Sequence, residues 1–182
     1  RGGGISCTFT ASPLIANCAI SGNTSGNLRG GIYCNATTAA TIVNSTITSN
    51  RAVGGGAIYS SGTPLVSNTI VAFNSSGLQN GTAGAPALRY NCAYGNTDYD
   101  YSGMTDPTGT NGNIPADPQF VRSPSPGLDG LWATADDDYG DLHLLPGSPC
   151  IDAGNNGDVP ADTADLNGNG ITAERLPLEL DR

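Results

Sequence analysis

Apolar residues in this chain come in runs of two or three, cut by Gly and Asn, and the runs recur in phase. One string reads Gly3-Gly-Ile-Ser-Cys7, Gly30-Gly-Ile-Tyr-Cys34 and Gly56-Ala-Ile-Tyr-Ser60, with its isoleucines 27 and 26 residues apart. A second reads Asn17-Cys-Ala-Ile-Ser-Gly-Asn23, Asn44-Ser-Thr-Ile-Thr-Ser-Asn50 and Asn68-Thr-Ile-Val-Ala-Phe-Asn74, with a degenerate copy at Asn91-Cys-Ala-Tyr-Gly-Asn96; the leading asparagines are 27, 24 and 23 apart. A period in the twenties, with β-branched runs between Gly/Asn turns, predicts a coiled strand solenoid with two or three short strands per repeat. Ile5, Ile32 and Ile58 should stack as one core column, and Ile20, Ile47 and Val71 as another. The repeated asparagines should form ladders inside or at the bends, where side-chain amides bond neighbouring coils.

Composition supports an all-β chain. Among 182 residues there are 26 Gly and 12 Pro, one Met, two Glu and no Lys, so strong helix formers are scarce. Charge divides the sequence. Residues 1–97 hold four Arg and no carboxylate, whereas all 16 carboxylates follow, with three Arg, giving +4 and −13. The expected organisation is coils over 1–96 and an acidic, loop-rich cap over 97–182 packed on the last coils. No apolar run is long enough to insert in a membrane as a helix, and the net charge of −9 disfavours nucleic acid. The chain opens inside a repeat at Arg1 with nothing to cap the first coil, so the expectation is a piece of a longer polypeptide or an end covered by another molecule.

These strings resemble the right-handed parallel β-helix repeats of large secreted and surface proteins of bacteria, a superfamily that also contains the pectate lyases. Gly55-Gly-Ala-Ile58 looks like the repeat of polymorphic outer-membrane proteins and adhesins. Asn113-Ile-Pro-Ala-Asp-Pro-Gln-Phe-Val121, Asp138-Tyr-Gly-Asp-Leu-His-Leu144 and Gly147-Ser-Pro-Cys-Ile-Asp-Ala-Gly154 are similar to the C-terminal ends of such β-helices. The resemblance implies an extracellular or cell-surface setting and covers enzymes, adhesins and fibres alike.

Several residues carry candidate chemistry. Asp165-Leu-Asn-Gly-Asn-Gly170 places oxygens at positions 1, 3 and 5 and glycine at 6, the start of a calcium loop. Asp165, Asn167 and Asn169 would be ligands and Glu174, or Asp158 and Asp162 from upstream, would complete the shell, since position 12 is Leu176; an Asx-rich turn is the plain alternative. Asp129, Asp136 and Asp138 could hold a second calcium or lie in a solvated acidic loop. Cys7 and Cys34 occupy equivalent positions in adjacent coils. Strands about 4.8 Å apart suit a disulfide or a ladder of buried thiols. Cys92 and Cys150 form the second candidate pair, leaving Cys18 as a small hydrophobe. Of the glycosylation sequons, Asn35 and Asn80 fall in predicted turns, whereas Asn23, Asn44 and Asn74 belong to the ladders.

Catalysis on the coils has little to work with. A lyase resembling the pectate lyases would need acidic calcium ligands and an Arg or Lys base, and a glycoside hydrolase two carboxylates. The single histidine, His143, sits in an alternating Leu-His-Leu segment and reads as an outward strand residue. The leading expectation is a non-catalytic structural or adhesive module that stacks end to end on another copy or on further coils of its own polypeptide. The rival is a carbohydrate-active or sugar-binding β-helix, with its site between coils and cap and Asp98, Asp100 and Asp106 as working carboxylates.

Overall fold

The computed structural model describes residues 3–27, 29–81, 84–163, 165 and 170–175. It is an all-β solenoid of about four turns, three short strands to each turn. The first turn contains β1 (Ile5–Cys7), β2 (Leu14–Ala16) and β3 (Ala19–Ser21). The second contains β4 (Ile32–Cys34), β5 (Thr41–Val43) and β6 (Thr46–Thr48), and the third β7 (Ile58–Ser60), β8 (Leu65–Ser67) and β9 (Ile70–Ala72). The fourth contains β10 (Leu78–Asn80), β11 (Ala87–Arg89) and β12 (Cys92–Tyr94), after which β13 (Tyr101–Ser102) adds to the stack. Equivalent strands pair in parallel. One sheet runs β1-β4-β7-β10-β13, a second β2-β5-β8-β11, and a third β3-β6-β9-β12. Parallel stacking therefore continues past residue 97, where the charge changes.

The register builds the core as columns. Ile5, Ile32, Ile58, Leu78 and Tyr101 are successive partners, and so are Ile20, Ile47, Val71 and Ala93. A third column, Ile15-Ile42-Val66-Leu88, comes from the second sheet. Ile32, Ile42, Ile47 and Ile58 are wholly buried. Because side chains alternate across a strand, the first sheet sends its first and third residues inward, and the other two sheets their central ones.

Both tight corners repeat a single device: one residue at positive φ, then one ladder residue. Between the second and third sheets, positive φ falls on Asn17, Asn44, Asn68 and Tyr90. After the third sheet it falls on Gly22, Ser49, Phe73 and Gly95. The ladder after this second corner is continuous. Asn23 Nδ2 donates to Asn50 Oδ1 (2.9 Å), Asn50 Nδ2 to Asn74 Oδ1 (3.0 Å), Asn74 Nδ2 to Asn96 Oδ1 (2.8 Å), and Asn96 Nδ2 to Asp100 Oδ1 (2.6 Å). Each of these oxygens also accepts the preceding rung's backbone N–H. Buried backbone groups that the corner takes out of the sheets are thus satisfied by side chains.

In the degenerate repeat the alignment differs from the sequence reading. Cys92 pairs with Ile70, so Tyr90, not Asn91, is the counterpart of Asn68. Asn91 instead enters the inner ladder, where its Oδ1 accepts the Thr69 N–H and its Nδ2 donates to Asn113 Oδ1. Tyr90 stands six residues before Asn96, the same interval as Asn68 to Asn74, so the corner keeps its length and a tyrosine replaces its first asparagine.

The segment after β13 folds back along the stack. β14 (Phe120–Arg122) and β15 (Asp141–Leu144) form an antiparallel hairpin. Phe120 is buried edge-on against Phe73. Further on, Asn155 exchanges two hydrogen bonds with the Asn68 side chain, and Asp158 accepts from Ser67 and pairs with Arg89 at 2.9 Å.

Candidate functional site

The loop between β14 and β15 reaches the first coil. Trp132 is seated on Gly22, where an added Cβ would lie 2.7 Å from the indole ring. Only glycine accepts that approach, and its φ of +68° suits the corner as well. The bridging loop leaves a cleft of about 860 Å³ between itself and the corners that follow the third sheet. Thr24 and Ser25 line it from the first coil, Arg51 and Val53 from the second, Phe73 and Ser75 from the third, and Thr97 and Asp98 from the fourth; Ser123, Pro124 and Trp132 form the opposite wall.

The side chains of Arg51 and Asp98 are both exposed, and neither takes part in an ion pair or side-chain hydrogen bond among the described residues. Ser75 is different, because its hydroxyl is spent on both backbone groups of Ala52. The cleft thus offers one free cation, one free anion, exposed hydroxyls and two aromatic rings. Of the carboxylates in the rival sequence reading, Asp98 lines this cleft, Asp100 terminates the asparagine ladder, and Asp106 caps a turn through the Thr108 N–H. Sequence reasoning did not find Arg51 or Trp132, since nothing local marks a loop that returns to the first coil.

A second cleft, about 810 Å³, lies between β15 and the outer face of the third sheet, with Cys18, Arg122, Asp141 and His143 in its lining. His143 is exposed and bonds Asp141 through Nδ1, which holds the Asp141 carboxyl below its usual range. The Cys18 thiol donates to the Ala16 carbonyl of its own corner at 3.1 Å. On the outer face of the first sheet, Arg29 lies 3.6 Å from the Tyr33 ring centroid, and Tyr59 packs beside that ring.

The predicted metal ligands are used as follows. Asp138 forms a two-pronged pair with Arg122 at 2.7 and 3.2 Å, which keeps its carboxyl below the usual range. Asp136 accepts from the Leu128 N–H and the Thr134 hydroxyl, and Asp129 from the Leu131 N–H. Among the described residues no three His, Cys, Asp or Glu side chains gather as a metal-holding group. In the other string, both carboxylate oxygens of Asp165 accept the Gly170 N–H, and Gly170 has φ +81°. The described ends of that string are therefore bonded to each other; Asn167 and Asn169 lie outside the described residues, and Glu174 contributes its backbone carbonyl to Asp162.

All five cysteines are thiols in this structure. Cys7 and Cys34 are register partners, and burial pushes the Cys34 thiol up to about 12. Cys92 and Cys150 interact side chain to side chain, which lowers the first thiol and raises the second. Asn35 Oδ1 caps its own turn through the Ala36 N–H. The Asn80 amide nitrogen, the atom a glycan would take, donates to the carbonyls of Gly84 and Gly103. The tyrosines near residue 97 pack: Tyr94 sits edge-on to Phe73, Tyr101 continues a core column, and Tyr99 bonds Gln79 and the Gly55 N–H.

Comparison of the chain with protein-family models, curated proteins and solved structures finds no match. Its class is given by architecture: a parallel β-solenoid with an acidic segment folded along one side.

Proposed function

We propose that the chain is a non-catalytic structural and adhesive module of an extracellular bacterial protein. The observation that carries this reading is chemical. None of the five clefts described is lined by more than one carboxylate: Asp98, Asp100, Asp141 and Asp152 each stand in a different one, and one cleft has none. Hydrolysis of a glycosidic bond uses two carboxylates across the bond, and guanidinium groups are poor general bases. Most other carboxylates of the acidic half cap turns or pair with Arg89 and Arg122, which are structural duties.

In this proposal the solenoid is a spacer that displays a side cleft. β1, β2 and β3 are the outer strands of three sheets at one end, so that end suits strand addition by another coil or another copy. Calcium at the Asp165 string would stiffen the cap; a melting temperature unchanged by chelator would remove that element. The test of the function itself is product release. Neutral and acidic polysaccharides incubated with the protein should yield neither new reducing ends nor unsaturated sugars. Turnover abolished by Asp98→Asn would overturn the proposal in favour of a carbohydrate-active enzyme.

A further inference from the structure

We infer that the cleft between the coils and the Trp132 loop is a binding site for a neutral oligosaccharide. The inference deepens the adhesive reading above by naming its ligand class. Three properties of the cleft point the same way. Its charge is balanced, since among the described residues Arg51 and Asp98 are the only ionisable side chains lining it. Opposite fixed charges, both without a side-chain partner among the described residues, suit a ligand that donates and accepts hydrogen bonds at once, as vicinal hydroxyls do: the carboxylate accepts from two of them and the guanidinium donates to their oxygens. A polyanion would meet Asp98 and the −13 half of the chain, and a cation would meet Arg51.

Trp132 and Phe73 are the aromatic residues in the described lining, and the apolar face of a sugar ring packs on an aromatic side chain while its hydroxyls stay wet. Trp132 is fixed by its seat on Gly22, so its ring is held in place before a ligand arrives, and preorganisation cuts the entropy cost of binding. Exposed Thr24, Thr97 and Ser123 supply further hydroxyls. The site also has the right reach. Its lining draws on four successive coils, and three rung spacings of about 4.8 Å span about 14 Å, room for roughly two to three sugar rings.

Trp132 is the only tryptophan in the chain, so its fluorescence reports on this cleft alone. The experiment titrates the intact protein with cellohexaose, xylohexaose, mannohexaose and, as the acidic comparison, hexagalacturonate. At least one neutral hexasaccharide should change the emission saturably, with an affinity at least tenfold above that for hexagalacturonate. Arg51→Ala and Asp98→Ala, at exposed side chains without partners, should each weaken binding about tenfold while leaving the melting temperature in place. Trp132→Phe, followed by calorimetry, should weaken it further. No response to any neutral sugar, tighter binding of the galacturonate, or unchanged affinity in both the Arg51 and Asp98 variants overturns the inference. Bound sugar that is then cleaved would leave the site standing and overturn the non-catalytic reading instead.

Discussion

Replacing Asn74 with alanine cuts the asparagine ladder at its middle. The side chain is 1% exposed. Its Nδ2 donates to the Ile47 and Ala72 carbonyls and to Asn96 Oδ1, and its Oδ1 accepts from Asn50 N and Asn50 Nδ2. After the substitution, Asn50 Nδ2 still has the Ile20 and Thr48 carbonyls, and Asn96 Oδ1 still has the Asn74 backbone N–H. The buried Asn50 N–H loses its acceptor. Orphaning one buried donor costs about 1–3 kcal/mol and each of the four further bonds lost about 1 kcal/mol, so the total is on the order of 5–7 kcal/mol. Asn23, at the half-buried start of the ladder, donates only to Ser21 O and Asn50 Oδ1, and Asn23→Ala should cost about 1 kcal/mol. Asn74→Asp should lose at least as much as alanine, because an oxygen would then face three oxygens. Asp100→Asn keeps the terminal acceptor for Asn96 and should be nearly neutral. Urea unfolding followed by circular dichroism measures the series, with the m-value expected to hold. Equal losses at Asn23 and Asn74, or a loss at Asn74 below about 1 kcal/mol, would refute the ladder as a main support of the fold.

Gly30→Ala should destabilise the stack strongly, since its Cβ would lie 2.3 Å from the Gly56 carbonyl oxygen, whereas Gly26→Ala meets nothing and should be silent; thermal melts compare the two. Acid should loosen the cap before the coils. Asp106, Asp136, Asp138 and Asp141 are lowered from 3.8, chiefly by Thr108, Thr134, Arg122 and His143. Groups depressed on folding contribute stability that is full above the unfolded value and is lost as pH falls through the folded one. Trp132 emission should therefore shift below about pH 4 while the sheet signal persists; simultaneous loss of both would contradict this. Under oxidising conditions, peptide mapping should recover Cys7 joined to Cys34 and Cys92 joined to Cys150, with Cys18 a thiol. A Cys18 cross-link would rule out that arrangement.

The solenoid was legible in the sequence because its repeat is a physical requirement. A coil that buries one isoleucine per strand must place it again one turn later, and Ile5, Ile32 and Ile58 show the interval directly. The asparagines were legible as ladders for the same reason. The third column was not assigned, since Leu14-Ile15, Ile42-Val43 and Leu65-Val66 are apolar at two adjacent positions and do not reveal which points inward. A site between coils and cap was the rival reading, but its wall was not assigned, because it depends on a nonrepetitive loop returning across four coils to Gly22. Asp98 carried a signal as the first carboxylate after 97 residues without one, but Arg51 looked like any other coil arginine. The run Asp136-Asp-Asp138 suggested an ion because like charges need neutralising; its bonds to Arg122, to backbone N–H groups and to a threonine hydroxyl depend on how the loop folds and were not legible.

A crystal structure of the protein soaked with the tightest-binding neutral hexasaccharide tests the account most directly. The expected result is parallel coils in the register Ile5-Ile32-Ile58, an uncleaved sugar packed on Trp132, and its hydroxyls bonded to Arg51 and Asp98. A cleaved product, or a sugar bound elsewhere on the solenoid, would contradict it.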